Sequence, residues 1–429
     1  MQGCTVYETK DVILRQILRT FNNMKPYLLH LLLPSLLLLI SSQTVAAVDK
    51  DKYPLSEQVH QSLSAAREML EKQDYRQAEN TLSGLLQKDI NPYERALLNQ
   101  MMGYAYNAAG KHDQAAAAFS KALADNLLPE NIMHDLQYSI AHLLAQEGKY
   151  QEALDPLLSW FTSEKEPKAE AHLLAATIYY QLQDYRDLTE HMEQALRKTA
   201  KPEQSWYELL LAGYYQGGDF THAAEVLERM IVLYPDQHNY WLQLAGMYQK
   251  AEQPHRALAV LELALRRGLL DEAGITQVIR LHLNQHMPQL AAELLQKQMG
   301  KGSVPRSREN IELLAESWLL AREYDRAATA FTELATLTSD PSVYYRLGYV
   351  YFTQEKWDAA RKALEAAVEG GAPADKPDAY LLLGISAYHT NEFTGATRAF
   401  NRALNHESTQ QQAQWWLDKL EKKAGSGPG

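Results

Sequence analysis

Along most of the chain, apolar residues recur three and four positions apart, and β-branched alternation is scarce, a spacing that predicts amphipathic helices throughout. Around the middle, Trp241, Leu244, Ala245 and Tyr248 fall on one helical face. Glu252-Gln253-Pro254 then interrupts the pattern, and Ala257, Leu261 and Ala264 form a second stripe. The same two-stripe unit recurs. Aligning on one small residue gives Ala78, Ala115, Ala153, Leu188, Ala223, Ala257, Ala291, Ala327, Ala360 and Ala396, at intervals of 37, 38, 35, 35, 34, 34, 36, 33 and 36 residues. Three positions before each marker stands Tyr75, His112, Tyr150, Tyr185, Phe220, Pro254, Pro288, Tyr324, Trp357 or Phe393. Four positions after it stands a large apolar residue: Leu82, Phe119, Leu157, Met192, Leu227, Leu261, Leu295, Phe331, Leu364 or Phe400.

Each unit reads as two antiparallel helices that cannot bury their stripes alone and stack on their neighbours. Small residues such as Ala245 and Ala257 are expected where paired helices cross, because a bulkier side chain there would overpack the contact by about 1–3 kcal/mol. Beyond the tenth unit, Thr409 to Lys423 shows one apolar stripe and a polar face, predicting a terminal capping helix, and residues 424–429 read as a disordered tail.

The unit resembles the tetratricopeptide repeat, whose signature runs W-x2-L-G-x2-Y, then A-x3-F, then P. Trp241, Leu244, Ala245, Tyr248, Ala257 and Leu261 carry it here, as do Met102-Gly103, Tyr106, Ala115 and Phe119. Leu347-Gly348, Tyr351, Ala360 and Leu364 repeat it, followed by Leu383-Gly384, Ala396 and Phe400. The copies around Leu188 and after Glu272 depart most from the pattern. The resemblance covers roughly residues 53–408 and implies an all-α, right-handed superhelical solenoid of about ten helix-turn-helix repeats with a C-terminal capping helix.

The first fifty residues follow a different logic. After Met24 and Lys25, the short apolar run Tyr27 to Ile40 and the small residues Val45-Ala46-Ala47 form the three-part pattern of a secretory signal peptide over residues 24–47. Pro34 interrupts the run, which is short for a membrane span. Residues 1–23 read as an upstream start-site extension, and their Lys10, Arg15 and Arg19 leave an uncleaved inner-membrane anchor as the alternative to cleavage. The expected location is the periplasm, either free or beside the inner membrane. Cys4, the only cysteine, precedes this leader, so an exported chain would carry no thiol or disulfide. Residues 1–47 hold four basic and two acidic side chains, so their removal shifts the net charge from -11 to -13. That acidity argues against a nucleic-acid binder, which needs clustered Lys and Arg along the phosphates.

Candidate chemistry is sparse. No G-x-S-x-G elbow, Walker glycine loop or dinucleotide fingerprint stands in a suitable context. His282 and His286 are four apart, but His286 falls where the helix should end before Pro288, and no glutamate follows His282 as a zinc-protease motif requires. His238 reads as a turn residue beside Asp236, and Gly217-Gly218 and Gly370-Gly371 read as helix ends. The expected protein is a non-enzyme with no catalytic residues, metal or cofactor.

In the resembling family, the first helix of each pair lines a groove. Carried onto this chain, that resemblance implies a partner-binding set of Tyr104, Tyr138, His142, Tyr180, Tyr215, Leu242, Arg280, Tyr345, Tyr349, Phe352 and Tyr388, with Tyr345, Tyr349, Phe352 and Tyr388 as the leading patch. Packing between repeats is the competing role for each. Chaperone-docking members grip a terminal carboxylate with groove lysines and asparagines; Arg280 is nearly alone here, so that activity is not expected. The run with Trp206, Tyr234-Pro235, Tyr240-Trp241 and then Met287-Pro288 is similar to periplasmic repeat proteins associated with TonB systems. That similarity implies a scaffold beside TonB, ExbB and ExbD-type proteins in the uptake of iron chelates. The competing expectation is a scaffold of another envelope machine, assembling outer-membrane proteins or exporting polysaccharide.

Overall fold

The computed structural model describes residues 55–371 and 378–425; the leader expected at 1–47 and the tail from 426 onward lie outside them. Among the described residues the chain forms 21 helices and no strand. It divides into two compact units, Met1–Ala251 and Glu252–Gly429. The first contains α1 (Glu57–Glu71), α2 (Tyr75–Leu86), α3 (Pro92–Ala108), α4 (His112–Leu123), α5 (Glu130–Gln146), α6 (Tyr150–Ser163), α7 (Ala169–Gln181), α8 (Tyr185–Arg197), α9 (Gln204–Gln216), α10 (Phe220–Leu233) and α11 (His238–Lys250). The second contains α12 (Pro254–Arg266), α13 (Glu272–Asn284), α14 (Pro288–Lys301), α15 (Arg308–Leu320), α16 (Tyr324–Thr338), α17 (Pro341–Thr353), α18 (Trp357–Glu369), α19 (Ala379–His389), α20 (Phe393–Ala403) and α21 (Glu407–Gly425). The boundary at Ala251 falls inside the repeat read from Trp241 and Ala257. Within each unit every helix packs on the next in sequence, the consecutive helix-pair packing of a tetratricopeptide solenoid.

The periodic columns acquire a physical meaning. All ten markers are fully buried, and the large residues four positions later are at most 1% exposed. The residue three before each marker is in every case the first residue of the second helix. Two positions earlier, the backbone enters the left-handed region at Gln73, Gly110, Gly148, Gln183, Gly218, Glu252, His286, Arg322, Glu355 and Asn391, with φ between 58° and 78°. In nine of these turns the left-handed residue and its successor donate N–H bonds to carbonyls three and five positions back. This is a Schellman closure, which satisfies the last carbonyls of the first helix and reverses the chain. The Leu188 copy and the copy after Glu272 keep the same turn despite their divergent sequence.

Close approach of the paired helices needs small residues on the first helix. A Cβ on Gly103 would stand 2.3 Å from the Phe119 ring, one on Gly348 2.6 Å from Leu364, and one on Gly384 2.5 Å from Phe400. The large residue of the second helix therefore fills the space that a first-helix side chain would take.

Two boundaries shift from the sequence reading. His238 and Asn239 open α11 and do not belong to the preceding turn, because the chain needs only Tyr234–Gln237 to reverse. The capping helix runs Glu407–Gly425, two residues beyond the expected span at each end, so Ala424 and Gly425 are helical. No helix among the described residues is long and apolar enough to cross a membrane.

Candidate functional site

On the first helices of unit 1, most of the tyrosines in the partner-binding set pack within their own repeat. Tyr104 on α3 meets the Phe119 ring edge-on at 5.2 Å, and its hydroxyl accepts a bond from Gln100 Nε2 at 3.4 Å. Tyr138 on α5 lies 4.9 Å from Trp160; burial, with Glu170 adding to it, pushes its hydroxyl pKa up to about 12. Tyr180 meets Tyr185 at 6.5 Å, and Tyr215 meets Phe220 at 5.9 Å. Each of these two pairs joins the end of a first helix to the first residue of the second, so the rings brace the Schellman turn. Tyr215 is buried and has the Lys250 ammonium 5.1 Å from its ring. His142 is buried on α5, and Leu242 is half-buried on α11.

Polar side chains tie successive first helices together on this face. Tyr240 on α11 donates to Glu208 on α9 at 2.6 Å and accepts from Gln204 at 2.5 Å. Burial and the Glu208 carboxylate both raise the Tyr240 pKa far above that of a free phenol.

In unit 2 the leading patch separates into three environments. Tyr345 is buried, and its hydroxyl donates to Asp378 at 2.6 Å. Phe352 stands edge-on to Trp357 at 5.3 Å, bracing a turn as Tyr215 does. Tyr388 is half-buried between Phe393 (5.9 Å) and Trp416 (5.0 Å). Tyr349 alone of the four is exposed, at 43%. Beside it in sequence, Arg346 pairs with Glu312 and Glu316 on α15, linking neighbouring first helices. Arg280 is exposed on α13.

Two clusters lay beyond the sequence reading. His172 on α7 and His191 on α8 approach Nδ1 to Nδ1 at 3.0 Å, both 5.1 Å from the Phe161 ring. One imidazole must donate and the other accept, so the contact requires at least one neutral ring. Burial first, then the neighbouring His191, lowers the His172 pKa to about 4; burial also lowers that of His191. Nineteen residues separate the pair, which no short motif would flag. The second cluster gathers Tyr388, Phe393, Trp415, Trp416, Lys419 and Lys423 at the last helix. Its signal was the doublet Trp415-Trp416, with lysines four and eight positions after Trp415.

Metal-site geometry can be tested directly at the candidate histidines. His282 is buried on α13 with Nε2 3.2 Å from Glu262, whereas His286 sits in the left-handed turn at φ 59°, so the two do not share a helix. Among the described residues no group of three potential ligands converges on one point.

Comparison with known proteins agrees with the repeat geometry. A family model of the tetratricopeptide repeat matches residues 100–162, 173–238 and 345–413. These stretches resemble the tetratricopeptide repeat, and the same turn and helix-pair packing continue in the helices between them. No curated protein matches the chain. Among solved structures, it is similar to a tetratricopeptide repeat protein from Parabacteroides merdae, at 18% identity and TM-score 0.34 over 61% of this chain and 99% of that one. It is also similar to a chain of Naa15/Naa10 bound to HypK-THB, at 14% identity and TM-score 0.43 over 85% of this chain and 66% of that one. A third is YrrB, described as a repeat protein with an unusual peptide-binding site, at 15% identity and TM-score 0.36 over 46% of this chain and all of that one.

Proposed function

We propose that this protein is a non-enzymatic scaffold whose first-helix face holds an extended segment of a partner protein. The observation that carries this reading is the arrangement around Tyr349: an exposed tyrosine in a patch whose other three members, Tyr345, Phe352 and Tyr388, are held by ring packing or a hydrogen bond. A large ring on a rigid support gives contact area at low entropic cost, and its hydroxyl orients a peptide.

The setting is a further part of the proposal. The leader pattern at 24–47 supports export to the periplasm, with the inner-membrane anchor as its variant. The Trp206 to Trp241 run supports an accessory role beside TonB, ExbB and ExbD-type proteins in iron-chelate uptake.

The test is crosslinking in intact cells followed by partner identification, with Tyr349→Ala as the probe. We expect that variant to lose partner capture while its melting temperature changes little. Unfolding of Tyr349→Ala would refute the assignment of this face. Recovery of no TonB-system protein, together with normal iron-chelate uptake in a deletion strain, would refute the setting.

A further inference from the structure

The end of unit 2 carries a feature that neither packing nor the first-helix face explains. On α21, Trp415 is 57% exposed, and Lys419 lies over the rings of Trp415, Trp416 and Tyr388 at 5.0, 4.4 and 5.0 Å. One turn on, Lys423 lies over Phe393 at 4.5 Å and Tyr388 at 5.1 Å. The two lysines are spaced i,i+4, an arrangement in which like charges repel and weaken a helix. Neither forms an ion pair among the described residues; the nearby Asp418 instead accepts from Gln414 at 2.8 Å. Other exposed lysines do find carboxylates, as in Lys111–Glu79, Lys149–Asp113, Lys356–Asp325 and Lys362–Asp358. Two ammonium groups with no ion pair among the described residues thus sit on one aromatic shelf, in a chain of net charge -11.

A cleft opens beside the shelf. It has a volume of about 620 Å³ and is lined by Phe393, Thr397 and Arg398 of α20 and by Leu417, Leu420 and Lys423 of α21, with Glu421 also at its wall. We infer that this cleft and its lysine–aromatic rim form a second docking surface, which takes an acidic peptide segment of a partner protein anchored by one apolar side chain. The rings hold both ammonium groups in place before binding, so less side-chain entropy is lost when a carboxylate arrives. The apolar floor from Phe393, Leu417 and Leu420 receives the anchor, and the positive rim selects the charge around it. A bilayer is a poorer occupant. Residues 393–425 carry five basic and three acidic side chains, which is not the dense basic cluster that anionic lipid surfaces attract, and the apolar part is a cleft and not a flat face.

The experiment measures polarisation of a fluorescein-labelled eight-residue peptide alternating Asp and Glu around one Leu and one Phe, titrated with the full chain. The Asn/Gln counterpart and vesicles of phosphatidylglycerol are run beside it. We expect the acidic peptide to bind about tenfold or more tightly than its neutral counterpart, with affinity falling as salt rises. Lys419→Glu/Lys423→Glu should weaken it at least about tenfold, and Trp415→Ala several-fold. Lys88→Glu/Lys301→Glu, which changes the net charge equally at remote exposed positions, should leave it unchanged. Helicity by circular dichroism verifies that each variant folds. No binding up to about 1 mM, equal binding of the two peptides, equal weakening by the remote pair, or binding to vesicles alone would each overturn the inference. Capture at Tyr349 is read separately, so either surface can fail without the other.

Discussion

At the scale of single residues, the ten left-handed turn positions hold the clearest tension between sequence and structure. Three are glycine, which enters this region freely; Gln73, Gln183, Glu252, His286, Arg322, Glu355 and Asn391 are not. A Cβ there costs roughly 1–2 kcal/mol, less for asparagine. The cost is tolerated because the Schellman bonds and the buried helix pair on either side fix the turn. Gln183 and Arg322 are exposed, so replacing either with glycine removes the strain and no contact that buries area. Gln183→Gly and Arg322→Gly are each expected to stabilise the protein by roughly 0.5–1 kcal/mol after the entropic penalty of glycine, measured by denaturant unfolding. The left-handed geometry at Gln73, Gln183, Arg322 and Glu355 was not legible in the sequence, since glutamine, glutamate and arginine are ordinary helix formers.

Between elements, the informative contact is His172 on α7 against His191 on α8. The ordinary histidine pKa near 6.5 applies to the unfolded chain, and the folded value of His172 is about 4. Because folding lowers it, the stability linked to this site is fully present above about pH 6.5 and is lost as pH falls toward 4. Lys198 and Arg197 act with His191 to lower the His172 pKa, whereas Glu190 and Asp187 oppose the lowering at His191. The expected result is a denaturation midpoint that falls between pH 6.5 and 4. A His172→Phe/His191→Phe variant, set between Phe161 and Tyr179, should show a shallower fall. His142 and His282, also lowered by burial, would supply the remaining slope. The pairing of helices was legible from the marker columns. The contact between these two imidazoles was not, because it depends on how far α8 rotates against α7.

At the scale of the whole molecule, stability in a repeat array is a sum over units and their neighbours, so damage stays local. Gly103 provides the test, because the Phe119 ring occupies the space its Cβ would need. Gly103→Ala is expected to cost about 1–3 kcal/mol. In hydrogen exchange, protection should fall in α3 to α6 and stay unchanged in α15 to α20. A uniform loss across both units would contradict nearest-neighbour coupling. The two units also host different surfaces. In unit 1 Tyr104, Tyr138, Tyr180 and Tyr215 pack on rings of their own repeat, while unit 2 exposes Tyr349 and carries the Lys419–Lys423 shelf.

The sequence by itself determined the helix pairs, the recurring columns and the apolar stripes that are buried. It could do so because a spacing of three and four residues and a marker sustained ten times are one-dimensional signals. Only the tertiary structure decided which aromatic residues are available to a partner. Tyr215, Tyr345 and Tyr349 share a residue type and comparable first-helix settings, yet Tyr215 bears on Phe220, Tyr345 bonds to Asp378 and Tyr349 meets solvent. Exposure depends on the side chain that the next helix sets against each ring. The aromatic-rich stretch around Trp241 shows the same division. Trp241, Leu244, Ala245 and Tyr248 are buried as their spacing predicts, while the Tyr240 bond to Glu208 emerged only when α9 and α11 were placed side by side.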